Sequence, residues 1–227
     1  MVKARSSMTA SMRSEFDDFI GKYGFEQFGY IQVGVPARDG IELRKQGLNS
    51  RSPLTAYMEE NGYGHADVYP QDRFDAVVKE NGLRVIYRGM PDGDALTGSE
   101  KHENFMYDTK YYIGSGMFGD GQYFGDELTG KSYAVGGSSG HEGNGAVIMA
   151  ALKPNAKTAT YSSVRAEVEE KYPQLAVNDG LLSVYARTRG YDAIVVGNGD
   201  DSYVNVINRD ALVVSENIRR VSDYGYA

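Results

Sequence analysis

The residues most able to do chemistry in this chain crowd into residues 116–134, GMFGDGQYFGDELTGKSYA, where glycines, aromatics and a Lys-Ser pair share one short span. Glycine is costly inside regular elements, so a run of it implies special dihedrals or a backbone that another group must approach closely. Within it, Gln122, Tyr123 and Phe124 have strand character, because aromatics suit a pleated, half-buried surface. The span is therefore read as a short strand entered through a glycine-rich loop and left through a polar turn. A second chemically able residue is Arg88, which with Gly89 ends the apolar run LRVIY of residues 83–87. A guanidinium at the end of an apolar strand must reach water, a carboxylate or a ligand phosphate.

Several other chemistries lack their residues. The chain has 227 residues and no Cys, which excludes a disulfide framework, a thiolate nucleophile and a Cys-ligated zinc site. His65, His102 and His141 stand in polar, loop-like contexts with no HExxH and no paired ligand spacing, so no metal is expected. There is no Ser nucleophile elbow. The glycine-rich span lacks the GK[ST] ending of a Walker loop, and its aromatic pair sits where the helix of a dinucleotide-binding βαβ turn would begin. A formal charge of -7 and a pI near 5.1 argue against binding nucleic acid mainly by counterion release. No run of eighteen apolar residues exists and the N-terminus lacks the apolar core of a secretion signal, so a soluble, cytoplasmic protein without membrane contact is expected.

The elements that must position these residues follow from periodicity. Residues 1–14 read as an arm, and Phe16, Phe19, Ile20 and Tyr23 predict a helix over 15–23 capped by Ser14 and stopped by Gly24. The region from there to Pro70 is rich in turn residues. Asp72 opens a helix ending at Asn81-Gly82, which leads into the strand of residues 83–87. Residues 136–145 read as a surface loop, and the continuous apolar run 146–152 as a central strand. Helices are expected over 162–171, capped by Ser162 or Ser163 with Glu167 completing a capping box, and over 179–189. Strands are expected over 193–196 and 203–207, with 211–214 extending the same sheet. Helices early and strands late favour an α+β fold. One compact unit or an extension of residues 1–70 followed by a domain of residues 71–227 both fit this length.

Residues 117–126, MFGDGQYFGD, followed by Lys131-Ser132, resemble the NAD-binding signature of the poly(ADP-ribose) polymerase and diphtheria-toxin branch of ADP-ribosyltransferases, roughly MFGxGIYFAD and then Lys-Ser. This chain carries one extra residue before the Lys-Ser. The strand ending in Tyr87-Arg88-Gly89 resembles instead the Arg-bearing first strand of the toxin-like Arg-Ser-Glu branch. The tail YDAIVVGNGDDSYVNVINRDAL is similar to the end of such domains in bacterial and phage proteins.

The resemblance implies a split, mixed or antiparallel β-sheet core with peripheral helices, and NAD+ as co-substrate without a metal. It implies Tyr123 as the aromatic wall of the nicotinamide site, Gly89 as the backbone pair for its amide, and Arg88 on phosphate or ribose oxygens. Ser132 would bond the amide, with Lys131 nearby and Tyr133 or Tyr112 as the opposite wall. Tyr87, Gly121 and Phe124 would complete the cofactor surface. The family's catalytic Glu stands at the start of the last of these strands, where this chain has Ser202, Tyr203 or Asn205 according to register, and no Glu lies between Glu170 and Glu216. Asp200 and Asp201 in the preceding turn are candidate substitutes, and Glu142 a remote one. The implied activity is mono-ADP-ribosylation of a protein side chain or nucleic acid by a toxin, effector or phage enzyme. NAD+ glycohydrolysis, or a silent binding or virion module, are the alternatives. An antitoxin or inhibitor with a basic patch is the partner its acidic balance suits.

Overall fold

The computed structural model describes residues 10–23, 53–62, 64–90, 114–116, 118–135, 145–172, 179–199 and 202–220. These form a mixed α/β fold, with six α-helices and two mixed sheets among the described residues.

The apolar run AVIMAAL forms β5 (Ala146–Leu152), the centre of the first sheet. It is apolar throughout because both of its faces are covered. Ala146, Ile148 and Ala150 face the second sheet and pack with Phe124, Val204, Val206 and Leu212. Met149 and Ala151 face the opposite way onto Phe74, and Val147 onto Ala134. One edge of β5 pairs antiparallel with β2 (Val85–Met90), from Val85↔Ala151 to Met90↔Ala146. Its other edge pairs with β9 (Leu212–Ser215) and then β10 (Arg219–Arg220), and β1 (Asp67–Tyr69) lies parallel to β9. The second sheet runs β3 (Gly114–Gly116), β4 (Gly119–Phe124), β8 (Tyr203–Val206), β7 (Ala193–Val196), β6 (Thr158–Thr160).

Helices cover the outer faces. Among them α1 (Ala10–Tyr23), α2 (Pro53–Asn61), α5 (Tyr161–Lys171) and α6 (Asp179–Thr188) share one core in which Phe16, Leu54, Met58, Val164, Leu181 and Tyr185 are buried. Contacts thus run across residue 70, from α1 and α2 onto α6. Tyr57 and Tyr185 keep their hydroxyls satisfied on carboxylates, Tyr57 donating to Glu15 and Tyr185 to Glu167. The first sheet is covered by α3 (Gln71–Asn81), which buries Phe74, a side chain worth about 2–3 kcal/mol on transfer from water. Gly82 ends α3 in the left-handed conformation, φ 60°. The glycine-rich centrepiece carries its own helix, α4 (Glu127–Val135), directly after β4.

Five expectations change. The first helix begins at Ala10, so Ser14 lies within it and not at its N-terminus. The region before Pro70 contains α2 and β1 in addition to turns. The strand at Arg88-Gly89 continues to Met90 because β5 offers it a partner along its whole length. Thr160 caps α5, its hydroxyl accepting from the Ser163 N–H at 3.2 Å, while Glu167 turns instead to Tyr185. The strand at 212–215 joins the first sheet, not the β7–β8 sheet. Residues 91–113, 136–144 and 200–201 lie outside the described set, and with them Tyr112, His102, His141, Glu142, Asp200, Asp201 and most of the predicted loop 136–145.

Candidate functional site

Among the described residues the two sheets meet at one backbone bridge, between Tyr87 and Gly125, which exchange both bonds at 2.9 Å. Tyr87 therefore presents its N–H and C=O to the edge of β2 that faces away from β5. Backbone direction repeats every second residue, so Gly89 presents its N–H and C=O at that same edge. There β4 has already turned away to pair with β8, Tyr123 opposite Asn205. The edge at Gly89 has no backbone partner among the described residues. The result is a wedge that opens at the bridge, with a free donor–acceptor pair on one lip and the strand of Tyr123 on the other.

Arg88 forms its floor. Side chains alternate along β2, so Ile86, Arg88 and Met90 share the face toward the second sheet, and Ile86 and Met90 belong to the inter-sheet core. The guanidinium crosses the gap and its Nη1 donates to the Tyr123 carbonyl at 3.2 Å. Burial pulls the pKa of Arg88 down to about 10, with Tyr123 acting in the opposite direction, so the group is still charged at neutral pH. The residues expected to frame a ligand, Arg88, Gly89 and Tyr123, are thus brought together from two different sheets.

Close packing against α4 explains the glycines. A Cβ built on Gly89 would land on the Gly130 carbonyl oxygen and lie 2.6 Å from the Ala134 nitrogen, and one on Gly130 would lie 2.7 Å from Tyr87 Cβ. Helix and strand touch backbone to backbone, and only glycine permits it. Asp126 starts the helix by accepting the Thr129 N–H at 2.7 Å, and its bonds with Thr129 hold its carboxyl below the usual range. Lys131-Ser132 is consequently helical, not part of a turn. Lys131 pairs with Glu127 at 2.8 Å, and the exposed Ser132 hydroxyl donates to the Thr129 carbonyl at 3.0 Å. Tyr133 is 61% exposed, although its Cβ lies beside Gly89. Tyr87 packs its ring on Ala134 and Val147, and Phe124 is buried between the sheets.

Tyr123 is fixed by its hydroxyl, which accepts from the Phe118 N–H at 3.1 Å and donates to the Gly119 carbonyl. Asn205 is fully buried and donates through Nδ2 to the Phe118 and Asp120 carbonyls at 3.3 and 3.2 Å. Gly121 packs against it so tightly that a Cβ would fall on Asn205 Oδ1. Of the other positions for a catalytic carboxylate, Tyr203 is half-buried, and Ser202 is buried and held by Arg84. Arg84 is the residue that sequence reasoning passed over. Its Nη1 reaches Ser202 Oγ at 2.7 Å and the Gly199 carbonyl at 3.2 Å, and its Nη2 reaches the Ser202 carbonyl at 3.2 Å. The fork ties the start of β2 to the start of β8. The available signal was an Arg just ahead of an apolar strand, in a chain with a long polar turn for it to hold.

Among the described residues no group of three or more His, Asp or Glu is placed to hold a metal, and no helix is long and apolar enough to cross a membrane. No protein family's profile matches the chain, and neither a curated protein sequence nor a solved structure matches it.

Proposed function

We propose that this protein is a mono-ADP-ribosyltransferase that cleaves NAD+ and passes ADP-ribose to a macromolecular acceptor, a protein side chain or a nucleic acid. The observation that carries the reading is the wedge itself: an N–H and C=O on Gly89 with no backbone partner among the described residues, across from Tyr123 and above the half-buried Arg88 guanidinium. A carboxamide on a flat ring needs one acceptor, one donor and an aromatic wall, which are the groups this wedge offers. When the nicotinamide–ribose bond breaks, its electron pair leaves with nicotinamide and the ribose becomes oxocarbenium-like. Little covalent work falls to the protein, and holding the dinucleotide in position is the larger contribution. Arg88 places a positive charge where phosphate or ribose oxygens are expected, and Ser132 reaches the amide after turning from Thr129.

A second reading, a domain that holds NAD+ without turning it over, is favoured by one observation. Ser202 and Asn205, two of the three positions suited to a catalytic carboxylate, are committed to Arg84 and to backbone carbonyls.

Incubation with adenylate-labelled NAD+ and cell extracts tests both. Label transferred to a macromolecule, and lost in Arg88→Ala and Tyr123→Ala, is the expected result. Free ADP-ribose instead identifies a glycohydrolase, and binding without NAD+ loss identifies the second reading. Wild-type rates in both variants, with folding verified by circular dichroism, refute the site.

A further inference from the structure

We infer that Asn205 is a positioning residue that sets the plane of the Tyr123 ring through Phe118–Asp120, the segment where the chain turns into β4. The inference deepens the reading above, since it concerns the wall of the proposed nicotinamide site. The ring itself is a separate observable.

Three links form the relay. Asn205 donates through Nδ2 to the carbonyls of Phe118 and Asp120. Two carbonyl acceptors fix the orientation of the amide, because only its NH2 group can serve both. The turn so held presents the Phe118 N–H and the Gly119 carbonyl to the Tyr123 hydroxyl. That hydroxyl uses its one proton on Gly119 and accepts from Phe118, so the ring is held at its far end as well as at its Cα. Register closes the loop, since Asn205 lies directly opposite Tyr123 on the neighbouring strand.

Two further features point to position rather than plain packing. Asn205 is completely buried, and its Oδ1 has no hydrogen-bond partner among the described residues, a loss a purely structural residue would avoid. Gly121 also leaves the carboxamide its room, since a Cβ there would fall on Oδ1. Asn205 accordingly serves to aim the turn, and through the turn the aromatic wall.

Asn205→Asp is the informative variant. A carboxylate facing two carbonyls repels both and frees the turn, whereas the protonated acid keeps one donor. Full burial at position 205 raises the carboxyl's pKa. With Tyr123 ring signals followed by NMR of ring-labelled tyrosine, N205D should shift the Tyr123 signal near about pH 8 and recover it toward about pH 5.5. Nicotinamide affinity should fall about tenfold at the higher pH and recover at the lower. The double variant N205D/Y123F should bind no more weakly than its weaker parent. A Tyr123 signal unchanged in N205D at both pH values, or additive losses in the double variant, overturns the relay. If N205D does not fold, Tyr123→Phe decides: the Phe118 amide loses its acceptor and should exchange about fivefold faster, and an unchanged rate overturns the relay. Wild-type protein that binds neither nicotinamide nor NAD+ sinks the proposed function, while the ring signal still decides the inference.

Discussion

Gly89→Ala tests the geometry on which the site rests. The added methyl would sit on the Gly130 carbonyl oxygen and 2.6 Å from the Ala134 nitrogen, where ordinary van der Waals contact begins at 3.4 Å, so α4 must retreat by about 0.8 Å or more. Both obstacles are backbone atoms, so no side chain can swing aside. Overpacking of this kind costs about 1–3 kcal/mol, and its position between helix and strand puts the expected loss near about 3 kcal/mol. In a chain of 227 residues that corresponds to a Tm lowered by roughly 6–12 °C. Gly130→Ala meets only the Tyr87 and Val147 side chains and the Tyr87 carbonyl carbon, the nearest at 2.7 Å, and should cost less. Gly21→Ala supplies the control: nothing lies within 4 Å of its Cβ, it sits in the last turn of α1, and alanine there should stabilise by roughly 0.5 kcal/mol. Urea unfolding gives all three values, with hydrogen exchange of α4 locating the damage. A Gly89→Ala protein as stable as wild type would mean that α4 does not lie on β2, and the wedge would lose one wall.

Three further outcomes follow from named contacts. Arg84→Lys keeps the charge but not the planar fork that serves Ser202 and Gly199, so it should cost about 1–2 kcal/mol in urea unfolding and speed exchange at the start of β8. Asp126→Ala removes the cap of α4 and should cost about 1 kcal/mol, whereas Asp126→Asn keeps the cap. Because the folded pKa of Asp126 is depressed, its contribution is present above about pH 4 and lost as pH falls, so Asp126→Asn should flatten the acid limb of stability. Burial, reinforced by Glu15 and Glu167, raises the Tyr57 and Tyr185 hydroxyls in the folded state. The folded chain then holds those protons more tightly than the unfolded one, and stability should decline above about pH 10, where unfolded tyrosines ionise. The Tyr57→Phe and Tyr185→Phe pair should lose that decline.

What could be read in advance was whatever is local. AVIMAAL announced a buried strand by lacking polar interruptions, and Gly82 marked the end of α3. The expectation that Arg88 and Tyr123 share a site came from resemblance and not from periodicity; the contact between them runs from the Arg88 guanidinium to the Tyr123 backbone carbonyl. Hidden from view was anything decided by a distant partner. Gly119 and Gly121 looked like loop residues, yet both lie in β4, and at Gly121 Asn205 leaves room for a backbone and nothing larger. Lys131-Ser132 looked like a turn, yet Gly89 makes a landing for a helix there. Asn205 was one of three positions where the resemblance would put a catalytic Glu, and its burial beneath two carbonyls was invisible without the register of β4 on β8.

The order of strands has a consequence for synthesis on the ribosome. Residues 67–69 emerge early but pair only with residues 213–215, and β4 waits for residues 203–206. The pairing of β4 with β8, and of β1 with β9, must await both partners, because non-local pairing cannot form until both strands are available. These long-range pairings are expected to form late in folding, after the local helices and the β3–β4 hairpin.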